Sequence, residues 1–107
     1  GDLPALESPY AEFIERSAPV LERWEAEGAA GPGPDADRAA FADYVQLLTQ
    51  WRRLPYLDPG LPAEFLPPGW HGLTAERIFA ELHRLLNGPA RQHAERLLAA
   101  TGTSGTA

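Results

Sequence analysis

The chain has 107 residues, enough for one domain around a single modest core and too few for two. It contains no Cys, which excludes a disulfide framework, a thiolate nucleophile and a Cys-based zinc site. Its net charge of −6, with Arg supplying every cation, argues against nucleic-acid contact by this segment, because a phosphate backbone selects a clustered positive surface.

The charge is uneven. Residues 1–37 hold nine acids and two Arg, whereas residues 38–107 hold six acids and seven Arg, so an anionic ligand or partner is expected on the second part. No Met occurs, not even at position 1, and a longer parent protein is expected. No apolar run approaches the roughly 20 residues of a membrane-spanning helix. No signal-peptide pattern is present either, so a water-soluble cytoplasmic chain without a membrane partner is expected.

Along the chain, Ser8-Pro9 reads as a helix opening, with a hydroxyl able to cap and a proline suited to the first helical position. Tyr10, Phe13, Ile14, Ser17, Leu21 and Trp24 then fall on one face, which predicts a first helix over residues 8–27. Pro19 lies inside it and predicts a kink or a break. Gly28-Ala29-Ala30-Gly31-Pro32-Gly33-Pro34 reads as a disordered linker. Asp35 or Asp37 can cap a second helix with an apolar face of Phe41, Tyr44, Val45, Leu48 and Trp51, ending before Pro55. Arg52 and Arg53 fall at its end, where the carbonyl pole of the helix favours cations.

Residues 55–72 carry five prolines interleaved with Tyr56, Leu57, Leu61, Phe65, Leu66 and Trp70. The apolar content predicts a structured loop packed across the helices, with at most one helical turn opened by Pro62. Thr74 is placed to cap a third helix, with Leu73 and Ile78 as a hydrophobic staple and Ile78, Phe79, Leu82, Leu85 and Leu86 as its buried stripe. Asn87-Gly88 is expected to end it, and Pro89 to open a fourth helix with Ala90, His93, Ala94, Leu97 and Leu98 inward. The expected fold is all-α, a small domain of about four helices with a packed proline-rich loop over residues 1–100, followed by a flexible tail over residues 101–107.

Catalytic patterns are not found. His71, His83 and His93 lack the helical ligand spacing of a metal site, and the carboxylates alternate with Arg on solvated faces. Ser8, Ser17 and Ser104 have no nucleophile-elbow context, and a Gly-Pro alternation has too few N–H groups for a phosphate loop. No enzyme activity, metal or cofactor is therefore expected. Arg52 and Arg53 are candidates to hold an anionic group beside Tyr56, Phe65 and Trp70. The alternative is that these rings form the small core of the loop, with Arg52 bridged to Asp58.

The run Trp51-Arg52-Arg53-Leu54-Pro55-Tyr56-Leu57-Asp58-Pro59-Gly60-Leu61-Pro62, continuing through Leu66-Pro67 to Trp70 and Gly72, resembles the C-terminal domain of the PaaX family of phenylacetic acid degradation repressors. The family pattern reads as an aromatic-Arg pair at a helix end, then Asp-Pro-x-Leu-Pro-x-x-Leu-Leu-Pro-x-x-Trp-x-Gly. Asp58-Pro59, Leu61-Pro62, Leu66-Pro67, Trp70 and Gly72 keep that register, and the likeness extends more loosely over residues 41–93. Thr49-Gln50 replaces an expected His-Glu, Phe65 a leucine, Gly69 an Asp and His71 a common Pro.

The resemblance implies a parent with an N-terminal winged-helix DNA reader, a mixed α/β middle domain and this helical domain last. It further implies a homodimeric repressor of an aromatic-acid operon, relieved by an acyl-CoA effector such as phenylacetyl-CoA, with DNA met only through the N-terminal part. On that reading Arg52, Arg53, Tyr56, Asp58 and Trp70 are the candidate ligand-binding residues. A purely structural interaction module that docks on the parent's own middle domain is the second expectation.

Overall fold

A computed structural model describes residues 3–27, 33–54 and 71–101, with side chains of the first helix described from Pro9 to Ala26. The described residues form three helices, α1 over Leu3–Glu27, α2 over Pro34–Arg52 and α3 over His71–Ala100. The all-α class is as expected. The residue 28–32 portion of the linker, the proline-rich segment 55–70 and the tail 102–107 lie outside the described residues, and with them the expectations placed there.

The helix α1 starts at Leu3 rather than at Ser8, because Pro4 already supplies a fixed φ in the first turn, where a proline has no hydrogen bond to break. Pro9 and Pro19 are interior, and α1 runs through both without a break. Each proline removes one backbone donor, at a cost of up to about 3 kcal/mol in a helix interior. What offsets it is the expected apolar face. Tyr10, Phe13 and Ser17 are buried, while Ile14, Leu21 and Trp24 flank the core.

Neither aspartate caps α2. Gly33 occupies the cap position without a side-chain bond, Pro34 begins the helix, and the Asp37 N–H donates to the Gly33 carbonyl at 2.9 Å. The carboxylate of Asp37 is buried and accepts from Arg96 Nη1 at 2.7 Å, tying the start of α2 to the end of α3. The buried positions of α2 are Asp37, Ala40 and Leu47, so the inward face is turned from the expected one. Tyr44 and Trp51 pack at its edge, and Val45 is 46% exposed.

The helix α3 replaces two expected helices. It begins at His71 instead of being capped by Thr74, since buried Gly72 and Ala75 let its first turn close against Tyr10. Leu73 is half-exposed and forms no staple. Further on, α3 passes through Asn87-Gly88-Pro89 without ending. Local sequence there favours a stop, but the continuation buries Ala90, sets His93 against Phe41 at a centroid distance of 5.1 Å and delivers Arg96 to Asp37. Tertiary contact overrides a local preference worth about 1 kcal/mol for Gly and 3 for Pro. Beyond that latch the packing stops, and Leu97 and Leu98, expected inward, are exposed.

Both α1 and α2 pack on α3 and touch one another little. The contacts of α3 climb as those of α2 descend, Trp51 with Phe79, Tyr44 with His83 and Asp37 with Arg96, so these two helices are antiparallel. The shared core is Phe13, Ala40, Leu47, Ile78, Leu82 and Leu86.

The continuity of α3 is testable at Gly88, which is exposed, has a right-handed backbone and has no atom within 4 Å of where a Cβ would sit. Gly88→Ala should stabilise the domain by about 0.5–1 kcal/mol, seen as a rise of a few degrees in the circular-dichroism melting temperature. A lower melting temperature would mean the chain turns left-handed at Gly88 and that two helices exist there.

Candidate ligand-binding cleft between α1 and α2

Because α1 and α2 rest on α3 rather than on each other, a cleft opens between them. One end is closed by Asp43 of α2, which accepts from the indole Nε1 of Trp24 at 2.7 Å and from the guanidinium of Arg23. The other end is where α2 finishes. There the Arg53 N–H donates to the Gln50 carbonyl at 3.2 Å and the Leu54 N–H to that of Trp51 at 3.1 Å, tightening the last turn.

The position of that end is set by a ladder of rings. Trp51 stacks on Phe79 with centroids 4.4 Å apart and planes inclined by 15°, and Phe13 of α1 meets the same indole at 5.2 Å. His83 continues the ladder, 5.8 Å from Phe79 and edge-on to Tyr44 at 5.5 Å. Such pairs add about 0.5–1.5 kcal/mol each beyond burial. They hold the turn that carries Gln50 and Arg53 rigidly over α3. His83 and His93 are thus packing residues, and no cluster of His and carboxylates with metal-holding geometry occurs among the described residues.

The cleft has two chambers. The outer one, about 220 Å³, lies between Pro9, Glu12, Phe13 and Arg16 of α1 and Gln50, Arg53 and Leu54 at the end of α2. The inner one, also about 220 Å³, is floored by Val20, Leu47 and Leu82 and edged by Ser17, Asp43 and Gln46. Arg16 and Gln50 line both. Arg16 and Arg53 have no ion pair among the described residues, so two guanidinium groups face the outer chamber with Glu12 as the local counter-charge. Beside it, burial pushes the phenol of Tyr10 above its ordinary range, reinforced by the Glu76 carboxylate, so the ring stays neutral at physiological pH.

Of the residues singled out from sequence, Arg53 is in this cleft. Arg52 is exposed on the last turn of α2 and does not line it. Tyr56, Asp58 and Trp70 lie outside the described residues. Sequence reasoning missed Arg16, Ser17, Gln46 and Gln50. A signal existed in Gln46 and Gln50, two amides four apart and hence on one face of α2, and in Gln50 as half of a departure from the family pattern.

The fold places the chain first in a class, the small all-α domains with two helices laid along a longer third. A family model described as the PaaX-like protein C-terminal domain matches residues 2–96, and the chain belongs to that family. No curated protein and no solved structure gives a significant match. No helix among the described residues is long and apolar enough to cross a membrane.

The closure of the cleft at Asp43 predicts unequal losses. Arg23 is half-exposed, and Arg23→Ala should cost under about 1 kcal/mol in urea unfolding, the ordinary worth of a surface pair. Asp43→Ala also strands the part-buried Trp24 N–H and should cost about 1–3 kcal/mol. Equal losses would show that the indole bond contributes nothing.

Proposed function

We propose that this chain is the C-terminal regulatory and dimerisation domain of a PaaX-like transcriptional repressor of aromatic-acid (phenylacetate) catabolism, and that it senses an acyl-CoA effector through the cleft between α1 and α2. Membership of the family supports the regulator reading. The observation that carries the effector reading is the presence of Arg16 and Arg53 in one chamber that shares Arg16 and Gln50 with a neighbouring chamber lined by apolar Val20, Leu47 and Leu82.

An acyl-CoA is a polyanion joined to a short carbon chain. Guanidinium groups bind phosphate oxygens through paired, charge-assisted hydrogen bonds, so Arg16 and Arg53 suit the anionic part. The inner chamber is too small for the nucleotide and suits the acyl group. Gln50, neutral where the family pattern carries Glu, leaves one fewer carboxylate facing the anion. DNA contact belongs to the parent's N-terminal part, in keeping with the acidic charge of this chain. Effector in the cleft would touch all three helices and favour one arrangement of this domain against its neighbours in the homodimeric cytoplasmic repressor.

A second reading, an interaction module without a ligand, draws on Leu97 and Leu98, which project from the last turns of α3 at 46% and 60% exposure. Those leucines would dock on the parent's middle domain.

Titration calorimetry of the chain with phenylacetyl-CoA separates the two. Saturable binding is expected, weakened about tenfold or more in an Arg16→Ala, Arg53→Ala double variant whose circular dichroism is unchanged. Absence of binding, or equal binding by the double variant, would overturn the effector role of the cleft and leave the interaction module.

A further inference from the structure

The inner chamber contains a group that an unsubstituted hydrocarbon ring cannot use. Ser17 is 3% exposed and lines that chamber, yet its hydroxyl has no hydrogen-bond partner among the described residues. A buried hydroxyl is ordinarily paired, and in a helix it commonly bonds back to the preceding turn. Across the chamber from it stand the primary amides of Gln46 and Gln50, one turn apart on α2. Asp43 stands beside them with one carboxylate oxygen, Oδ2, taken by Trp24 and Arg23, while Oδ1 receives no donor among the described residues.

We infer that the inner chamber selects a ring-sized acyl group bearing its own hydroxyl, a hydroxyaryl acyl thioester, over the unsubstituted aryl ligand. The inference rests on the effector reading of the cleft and gives the class of effector. The volume of about 220 Å³ accommodates one substituted ring and little more. The floor of Val20, Leu47 and Leu82 takes the faces of the ring, and its hydroxyl meets Ser17 Oγ and the free oxygen of Asp43 as acceptors and the Gln46 and Gln50 amides as donors. A phenol is one donor and one acceptor, and the chamber offers both complements. A site built around unpaired polar groups discriminates against a ligand that leaves them unpaired much more strongly than an apolar pocket discriminates one methylene.

The alternatives inside the cleft fit less well. A purely aliphatic acyl chain would bury Ser17, Gln46 and Gln50 against carbon. A free sugar or nucleotide would find too few polar partners on the Val20, Leu47 and Leu82 floor.

The experiment is a comparison by titration calorimetry of the 107-residue chain with phenylacetyl-CoA, 3-hydroxyphenylacetyl-CoA and 4-hydroxyphenylacetyl-CoA. At least one hydroxylated thioester should bind about tenfold more tightly than phenylacetyl-CoA, and Ser17→Ala should reduce that preference severalfold. Ser17→Ala should also leave the melting temperature of the free domain unchanged or raised, a readout that needs no ligand. If phenylacetyl-CoA binds as tightly as both hydroxylated thioesters, the hydroxyl selectivity is wrong and the effector reading stands. If none of the three binds, the effector reading fails and the inference with it. A marked loss of thermal stability in Ser17→Ala would show that the hydroxyl serves the fold and would overturn its role as a ligand partner.

Discussion

Among the described residues Leu82 and Leu86 are the largest side chains that the fold encloses completely, and both belong to α3. Around them Ile78, Phe13, Ala40 and Leu47 complete a core in which α1 and α2 pack chiefly against the third helix. Burial of a leucine stabilises by about 1.5–3 kcal/mol, and truncating one in such a setting costs about 2–5. The rest of the domain follows from having one helix as the common surface. Because α3 must serve two partners, it has to be long, and because it is long, α1 and α2 can each lie on it while meeting only at points such as Trp24 with Asp43 and Phe13 with Trp51.

That constraint explains what the local sequence of α3 does not. Asn87-Gly88-Pro89 carries the residues of a helix end and a new start, and a helix isolated from its neighbours would stop there. In the folded chain the residues after Pro89 have two anchoring points on α2, the ring of Phe41 for His93 and the carboxylate of Asp37 for Arg96. Asp37 is itself 7% exposed whereas Arg96 is half-exposed, so the pair is obligatory in one direction: the buried carboxylate would be left without its partner, and α2 needs Arg96 more than Arg96 needs α2.

The all-α class, the inward face of α1 and the Ile78, Leu82, Leu86 stripe were legible because a period of 3.6 survives any local interruption. Boundaries were less so. Ser8, Thr74 and Asn87 are each good local punctuation, and each lies inside a helix whose packing gives more than the punctuation costs. The face of α2 was not legible at Val45, because alanine at 40 is small and aspartate at 37 is charged, and their burial comes from close approach to α3 and from a partner 59 residues away. The cleft was legible only at Arg53. Its other walls, Arg16, Ser17, Gln46 and Gln50, come from two helices brought together chiefly by a third, and apart from the spacing of Gln46 and Gln50 nothing within one segment encodes that meeting.

The sparse junction between α1 and α2 is also what would let a ligand act. Two elements packed tightly on each other leave nothing for a small molecule to change, whereas two elements held apart on a common support can be drawn together by whatever fills the gap. The inner chamber touches Ser17 and Val20 on α1, Gln46 and Leu47 on α2 and Leu82 on α3, so its occupant contributes contact to all three at once. A molecule bound there stabilises the arrangement in which those walls are at contact distance, by an amount set only by its affinity and concentration. The prolines of α1 bear on the same point. At Pro9, beside the outer chamber, and at Pro19, between Ser17 and Val20, the helix lacks an internal hydrogen bond, and a helix with missing rungs bends there at lower cost than elsewhere. The wall that would have to adjust to a ligand is therefore the one whose backbone would resist adjustment least.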